Sequence, residues 1–130
     1  MVKTKKNNLK LLNFQKTIRK KIIKKNYLTQ AGHLGGCLSC VEIISNIFQI
    51  KKKRDIFVLS KGHCGLTMYV VLYLKKLMSK KVFDSFLLNN SSLGEHPSPY
   101  LNNYNINFST GALGHGLSYA VGLAKANKLK

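Results

Sequence analysis

Residues 55–63 read Asp-Ile-Phe-Val-Leu-Ser-Lys-Gly-His, and this stretch decides the predicted fold. Residues 56–59 are a short apolar run of β-forming side chains, which predicts a strand buried on both faces, as in a parallel sheet. Residues 60–63 follow at once, and in an open α/β sheet the loop that leaves the carboxyl end of a strand is where ligands bind. The stretch therefore predicts an α/β domain with a candidate binding site at His63.

Helical patterns lie on both sides of this strand. Residues 66–78 are nearly all apolar, with apolar side chains on every side, which predicts a helix buried between layers. Ser39 and Glu42 have the spacing of a capping box, so a helix is expected to begin near Cys40. The other predicted segments are an amphipathic helix of about 20 residues up to residue 28, a glycine-rich loop at 31–36, a short helix capped by Ser79, an irregular loop at 89–107 and a final helix ending near Lys128.

The predicted sheet lacks strands. A single strand has no partner for its backbone hydrogen bonds, and three or more strands are usual. The predicted helices have apolar faces suited to covering a sheet. The chain mostly lacks the strands of such a sheet. We expect one domain over residues 1–130 that is either a fragment or is completed by a partner chain.

The chain is strongly basic, with 22 basic and four acidic residues and a formal net charge of +18. Such a charge attracts nucleic acids, anionic lipids, phosphorylated metabolites and acidic proteins. Arg19 and Arg54 are the only arginines, and arginine is the usual reader of base edges. We therefore expect a solvated basic surface without specific nucleic-acid binding, and general polyanion or RNA binding stays as an alternative.

Three features of the sequence favour a cytoplasmic protein. No apolar run approaches the ~20 residues that cross a bilayer, so no membrane association is expected. The first residues lack the apolar block of a secretory signal. Three cysteines are an odd number for a disulfide scaffold, which favours a reducing compartment.

All four histidines lie in predicted loops. His33, His63 and His115 each follow a glycine, and His96 precedes Pro97. Glycine lets the backbone approach a ligand closely, and imidazole donates hydrogen bonds or transfers protons near neutral pH. The pattern by itself leaves both a structural and a functional role open for each ring.

Cys37 and Cys40 have the spacing of a redox or metal-binding pair, and His33 and His63 would complete four zinc-like ligands. No second pair of matching spacing accompanies them, and cysteine also fills small buried positions at helix starts. We therefore expect no metal ligand in this chain.

Four motifs, in this order along the chain, resemble those of the transketolase family. Residues 31–39, Ala-Gly-His-Leu-Gly-Gly-Cys-Leu-Ser, resemble its GHPGG-x-LS segment, and residues 55–63 are similar to its DRFILSKGHA segment. His96 and Pro97 resemble the family's GHP, and residues 109–118 resemble STGSLGQGLS. The resemblance is to the amino-terminal, thiamine-diphosphate-binding domain, especially in enzymes that are split into two chains.

The resemblance implies a three-layer α/β fold, incomplete in this chain, whose parallel sheet holds thiamine diphosphate through Mg²⁺. The implied reaction is the transfer of two-carbon ketol units between phosphorylated sugars. By position, His33 and His96 would bind the sugar and assist proton transfer, which makes them the candidate catalytic residues. The implied cofactor-binding residues are His63, Gly111, Leu113, Gly114 and His115.

The sequence also departs from the family pattern. Leu34 stands in place of proline and Glu95 in place of glycine; Cys64 replaces alanine and His115 replaces glutamine. The family's GDG…N segment, which ligates Mg²⁺, is expected just after the final helix, where the chain ends at Lys130.

A glutamate that activates the cofactor in this family belongs to the other transketolase domain. We therefore expect a chain that is truncated before its metal ligands and inactive alone. A second transketolase domain or subunit would supply both groups. The alternative is a non-catalytic remnant or a partner-binding module.

Overall fold

The computed structural model describes residues 2–104, 106 and 108–129, without the side chains of residues 2–6, 100 and 102. None of the helices in these ranges is long and apolar enough to cross a bilayer. Two 3₁₀ helices there span Gly62–Cys64 and Pro99–Tyr104. The α-helices in these ranges are α1 (Val2–Thr29), α2 (Leu34–Ser39), α3 (Val41–Ile50), α4 (Gly65–Leu74), α5 (Lys80–Asp84) and α6 (His115–Lys128).

The parallel sheet expected from the sequence is not observed, because none of the described residues belongs to a β-strand. Residues 56–59 run between α3 and α4 without helical structure, and Ile56 is 46% exposed rather than buried. The prediction of a three-layer α/β fold is therefore wrong for this structure, whose described residues form a helical fold. The physical reason is that a lone apolar segment has no neighbouring strand with which to form a hydrogen-bonded ladder.

Helix α4 lies at the centre of the core, as its apolar sequence predicts. Residues 65–72 are all buried. Helix α1 packs against α2, α3 and α4, and α4 also contacts α3 and α5. Ile18 and Ile22 of α1 and Val41 of α3 are fully buried, and Ile44 of α3 is nearly so. Each buried aliphatic side chain of this kind contributes roughly 1.5–3 kcal/mol relative to an exposed one.

The junction of α2 and α3 differs from the predicted capping box. Helix α2 begins at Leu34, inside the predicted glycine-rich loop, so Ser39 lies in its last turn. The Ser39 hydroxyl donates to the carbonyl oxygen of Gly36 at 2.7 Å. Cys40 is the N-cap of α3 and provides no side-chain cap. Ser39 therefore closes the end of one helix instead of beginning the next.

Several other local predictions are confirmed, and some boundaries move. The Ser79 hydroxyl accepts a hydrogen bond from the backbone N–H of Val82 at 3.3 Å and caps α5 as predicted. Helix α6 ends at Lys128 as predicted, whereas α4 ends at Leu74, four residues early. The predicted irregular loop at 89–107 contains the 3₁₀ helix Pro99–Tyr104, and its residues 105 and 107 lie outside the described residues.

Helix α6 touches the rest of the described chain at a few points. Gly116 lies against residue 60, since a Cβ at this position would come within 2.4 Å of the Ser60 Cα atom. Tyr119 stacks on Phe108 with ring centroids 4.2 Å apart. Leu117 and Val121 are 66% and 61% exposed, so α6 presents apolar side chains to solvent.

Candidate functional site

His63 is held in the 3₁₀ turn Gly62–Cys64 that opens α4. The backbone N–H of Cys64 donates to the carbonyl oxygen of Lys61 at 2.9 Å and closes this turn. A Cβ at Gly62 would lie 2.1 Å from the carbonyl oxygen of Thr110, so only glycine fits there. This close approach fixes residues 61–63 against the segment that precedes α6.

His33 lies where the chain reverses between α1 and α2. Gln30 and Gly32 have positive φ angles of 50° and 109°, a conformation that commonly ends helices. The Asn26 side-chain amide donates to the carbonyl oxygen of Ala31 at 2.7 Å and braces the reversal. His33 then becomes the N-cap residue of α2.

Three of the four predicted histidines converge on one place. The ring centroids of His33 and His63 are 5.0 Å apart, and those of His33 and His96 are 6.4 Å apart. The three rings come from the α1–α2 reversal, the turn before α4 and the loop after α5. Together they form the histidine cluster, defined here as His33, His63 and His96.

Glu95 binds one member of the histidine cluster directly. Its Oε1 atom lies 2.7 Å from the Nδ1 atom of His33. An ionised carboxylate only accepts hydrogen bonds, so this contact holds a proton on Nδ1 of His33 and leaves Nε2 for another partner. Sequence reasoning did not select Glu95 as a site residue, although its position next to His96 and its departure from the family glycine were the available signals.

The electrostatic environment favours a neutral imidazole at His63. Partial burial lowers the pKa of His63, and Coulombic interactions with His33, Lys61 and His96 lower it further. The Glu95 carboxylate acts in the opposite direction. His63 is therefore suited to give or accept a hydrogen bond near neutral pH without carrying a charge.

Of the other predicted cofactor residues, Gly111 borders the histidine cluster, and the remaining three are exposed or in open space. Gly111 borders the histidine cluster, because a Cβ there would lie 4.0 Å from Cδ2 of His96. Leu113 is 75% exposed, and Gly114 has a φ of +87° with open space around it. His115 is exposed at the start of α6, and among the described residues it makes none of the ring contacts of the histidine cluster.

Thr110 is a further candidate that sequence reasoning did not select. The residue is 2% exposed, and its Oγ1 atom has no hydrogen-bond partner among the described groups. A buried hydroxyl without a partner costs free energy, so each such group calls for an explanation. Its place directly before Gly111 was the only sequence signal, and an unpaired hydroxyl at this point suits a polar ligand.

The three cysteines are free and buried. The Cys37 thiol lies 3.9 Å from the carbonyl oxygen of His63. Burial raises the pKa of the Cys37 thiol, and thiols of raised pKa are weak nucleophiles and poor metal ligands near neutral pH. Within the described ranges, no group of three or more His, Cys, Asp or Glu side chains is arranged to hold a metal ion. The structure therefore gives no support to the zinc alternative.

Comparisons with known proteins identify the family of the chain. A family profile described as "Transketolase, thiamine diphosphate binding domain" matches residues 13–130. An apulose-4-phosphate transketolase subunit of Phocaeicola vulgatus is 40% identical over 121 residues, which is 85% of this chain and 42% of that protein.

Two further relatives are also named as transketolase subunits. The corresponding apulose-4-phosphate transketolase subunit of Actinobacillus succinogenes is 36% identical over 87% of this chain and 45% of its own length. The 6-deoxy-6-sulfo-D-fructose transketolase subunit SqwG of a Clostridium species is 35% identical over 73% of this chain and 38% of its own length. The chain spans less than half the length of these three relatives. Since the profile covers most of its residues, the chain belongs to the transketolase family, in the thiamine diphosphate binding domain.

Proposed function

We propose that this chain is the amino-terminal part of a two-chain transketolase-like enzyme, which transfers two-carbon ketol units between phosphorylated sugars. The observation that carries the proposal is the convergence of His33, His63 and His96 beside Gly111. Family membership supports the reaction class. The ring-to-ring distances of 5.0 and 6.4 Å support a shared binding site for these side chains.

The described residues fit part of thiamine diphosphate. The imidazole of His63 and the unpaired, buried hydroxyl of Thr110 are polar groups that suit the diphosphate or the substrate next to it. Gly111 and Leu113, with Gly114 and His115, are the proposed contacts for the rest of the cofactor. When bound, thiamine diphosphate supplies the carbon nucleophile and the electron sink for ketol transfer.

The chain's own contribution is to orient sugars and to move protons. His33 and His96 are proposed to bind sugar hydroxyl groups and to exchange protons with them. The hydrogen bond from Nδ1 of His33 to Glu95 orients the His33 ring and leaves its Nε2 atom for the proposed contact with a sugar hydroxyl. The neutral His63 then adds a hydrogen-bond donor aimed at developing negative charge.

For Mg²⁺ the described residues do not fit. No group of three His, Cys, Asp or Glu side chains in the described part of the chain is arranged to hold a metal ion. The proposal therefore assigns no metal ligand to this chain and derives no step through the metal. The partner chain is proposed to carry the Mg²⁺ ligands and the activating glutamate.

Two observations support a partner chain. Several relatives carry the word "subunit" in their names. Helix α6 also presents Leu117 and Val121 to solvent, and exposed apolar faces of this kind are typical of interfaces.

The free thiols favour a reducing compartment, so the cytoplasm is the proposed location.

The proposal is tested by combining the full chain with the transketolase-type partner encoded in the same genome, together with thiamine diphosphate, Mg²⁺ and sugar phosphates. We expect ketol transfer from the combined chains and none from either chain alone. His33→Asn and His96→Asn should each lower kcat by at least tenfold, since positioned acid–base groups contribute about 10²–10⁴-fold. The matched control is Lys53→Gln, an exposed substitution after α3.

Two results would contradict the proposal. One is turnover by the isolated chain, which would show that no partner group is needed. The other is full activity of both histidine variants in the assembled enzyme, which would remove the histidine cluster from the reaction.

The second candidate function is a non-catalytic partner-binding module, which the exposed apolar face of α6 favours. In that case the chain and its partner form a stable complex that Leu117→Lys disrupts, but the complex has no ketol-transfer activity. Light scattering together with the activity assay separates the two functions.

A further inference from the structure

A cleft rich in lysine lies between α1, α4 and α5, and no residue of the histidine cluster lines it. It has a volume of about 180 Å³. Helix α1 contributes Leu28 and three lysines, the end of α4 contributes Tyr73, and the start of α5 contributes Lys80 and Phe83. The charged groups that line it are Lys21, Lys24, Lys25, Lys80 and Asp84.

Two stacked aromatic rings organise the lysines of this cleft. The rings of Tyr73 and Phe83 lie 4.6 Å apart at an angle of 7°. The Lys21 ammonium lies 5.0 Å from the Tyr73 centroid, and the Lys25 ammonium lies 5.3 Å from the Phe83 centroid. Cation–π attraction therefore holds two ammonium groups over the cleft wall.

The cleft carries more positive than negative charge. Its four lysines face a single carboxylate, Asp84, which forms an ion pair with Lys80 one turn away in α5. The Lys25 ammonium donates to the backbone carbonyl oxygen of Asp84 at 2.8 Å rather than to the carboxylate. Burial and the charge of Lys80 lower the pKa of Lys25, against the opposing effect of Asp84. An anion in the cleft would relieve this repulsion.

We propose that this lysine cleft binds a compact phosphate-bearing anion of the diphosphate class. Lysine binds phosphate as a point charge, and several ammonium groups around a small volume suit a ligand with several charged oxygens. A stacked nucleic-acid base fits less well, because each ring already has another ring and an ammonium group against it. The site is separate from the proposed active site and does not rest on the proposed function.

The proposal is tested by titrating inorganic pyrophosphate into the full chain at constant ionic strength, followed by calorimetry and by NMR signals of the Tyr73 and Phe83 rings. We expect saturable binding to one site with shifts of both ring signals. Lys21→Gln combined with Lys24→Gln should raise Kd at least tenfold. Lys52→Gln combined with Lys53→Gln is the matched control, since it removes two charges on an exposed segment outside the cleft, and it should change Kd less than twofold.

Each other result would overturn the proposal. Equal weakening by both lysine pairs would mean that pyrophosphate responds only to the net charge. Shifts confined to imidazole signals would assign pyrophosphate to the histidine cluster. Single-stranded RNA that displaces pyrophosphate with the same lysine dependence and higher affinity would make the cleft a nucleic-acid surface. Circular dichroism of both double variants checks that the helices are retained.

Discussion

Helices α4 and α6 are both rich in apolar and small residues, yet α4 is mostly buried and α6 is mostly exposed. Residues 65–72 of α4 are all buried, at the meeting point of α1, α3 and α5. In α6 only Gly116 is buried. The described residues thus surround α4 with packed side chains, whereas they leave most of α6 uncovered.

The fold around α4 is stabilised by contacts within this chain, whereas α6 has few such contacts. Helix α4 is positioned by packing on several sides, so its stability comes from this chain. Helix α6 is positioned by the contact of Gly116 with Ser60 and by the stacking of Tyr119 on Phe108. An apolar helix with so few contacts gains stability when another surface covers it, which is the role we propose for the partner chain.

The comparison is tested most strongly by removing the same atoms from both helices. Leu66 of α4 is 3% exposed, and Leu117 of α6 is 66% exposed. We expect Leu66→Ala to lower the free energy of unfolding by about 2–5 kcal/mol, through lost burial and a cavity. Leu117→Ala in the isolated chain should change it by less than about 0.5 kcal/mol. Chemical denaturation of both variants measures the difference.

Equal losses in the two variants would contradict the contrast, since they would mean that α6 is packed within this chain. For association with the partner chain, we expect Leu117→Ala to have a larger effect than Leu66→Ala. Leu117→Ala should then weaken the complex, which titration calorimetry measures against the same variant of Leu66.

A second test compares two glycines within α6. A Cβ at Gly116 would lie 2.4 Å from the Cα atom of Ser60, whereas nothing lies within 4 Å of one at Gly122. We expect Gly116→Ala to lower the free energy of unfolding by about 1–3 kcal/mol, because backbone must move. Gly122→Ala should raise it by up to about 1 kcal/mol through helix propensity. Thermal unfolding of both variants measures the signs, and a stabilising Gly116→Ala would mean that α6 does not rest on Ser60.

Two predictions that depend on local information were confirmed, although the local capping box at Ser39 and Glu42 was wrong. The apolar run of α4 and the Ser79 cap depend on neighbours within one or two turns, and both were correct. The convergence of His33, His63 and His96 depends on contacts between distant segments. The family resemblance implied site roles for these three rings and for His115, whereas the ring contacts among the described residues join only the first three. No local pattern connects residue 33 to residue 63.

The failed predictions depend on partners that sequence patterns do not reveal. Residues 56–59 have strand-forming side chains, but a ladder needs a second strand, and none exists among the described residues. Glycines at 35 and 36 argue against a helix, yet α2 forms there. Tertiary packing overrides their propensity, since Cys37 is buried and Thr67 donates a hydrogen bond to its carbonyl oxygen at 2.7 Å.

The candidate site also affects how the stability of the fold depends on pH, through His63. His63 has a lowered pKa in the folded chain, so the unfolded chain binds a proton first as the pH falls. We expect its contribution to stability to be complete above about pH 6.5, the ordinary histidine pKa. The contribution should be lost as the pH falls from there through the lower pKa of folded His63.

Denaturant unfolding between pH 7 and pH 5 measures this slope, and His63→Gln should reduce it. Lys61→Gln removes one of the charges that lower the pKa, so NMR titration should place the His63 pKa of this variant closer to its ordinary value. A His63 pKa above that of an unfolded chain would contradict the electrostatic account of the site.

The smallest expected effect concerns a buried hydroxyl of α4 that has no partner among the described groups, unlike the hydrogen-bonded hydroxyl of Thr67. Tyr69 is fully buried, its ring contacts Phe86, and its hydroxyl has no hydrogen-bond partner in the described part of the chain. Tyr69→Phe removes only this hydroxyl, so we expect the free energy of unfolding to stay constant or to rise by up to about 1 kcal/mol. Tyr104→Phe, at a half-buried position, is the control and should change stability by less than about 0.5 kcal/mol. A clear loss of stability in Tyr69→Phe alone would mean that the Tyr69 hydroxyl has a hydrogen-bond partner in the core.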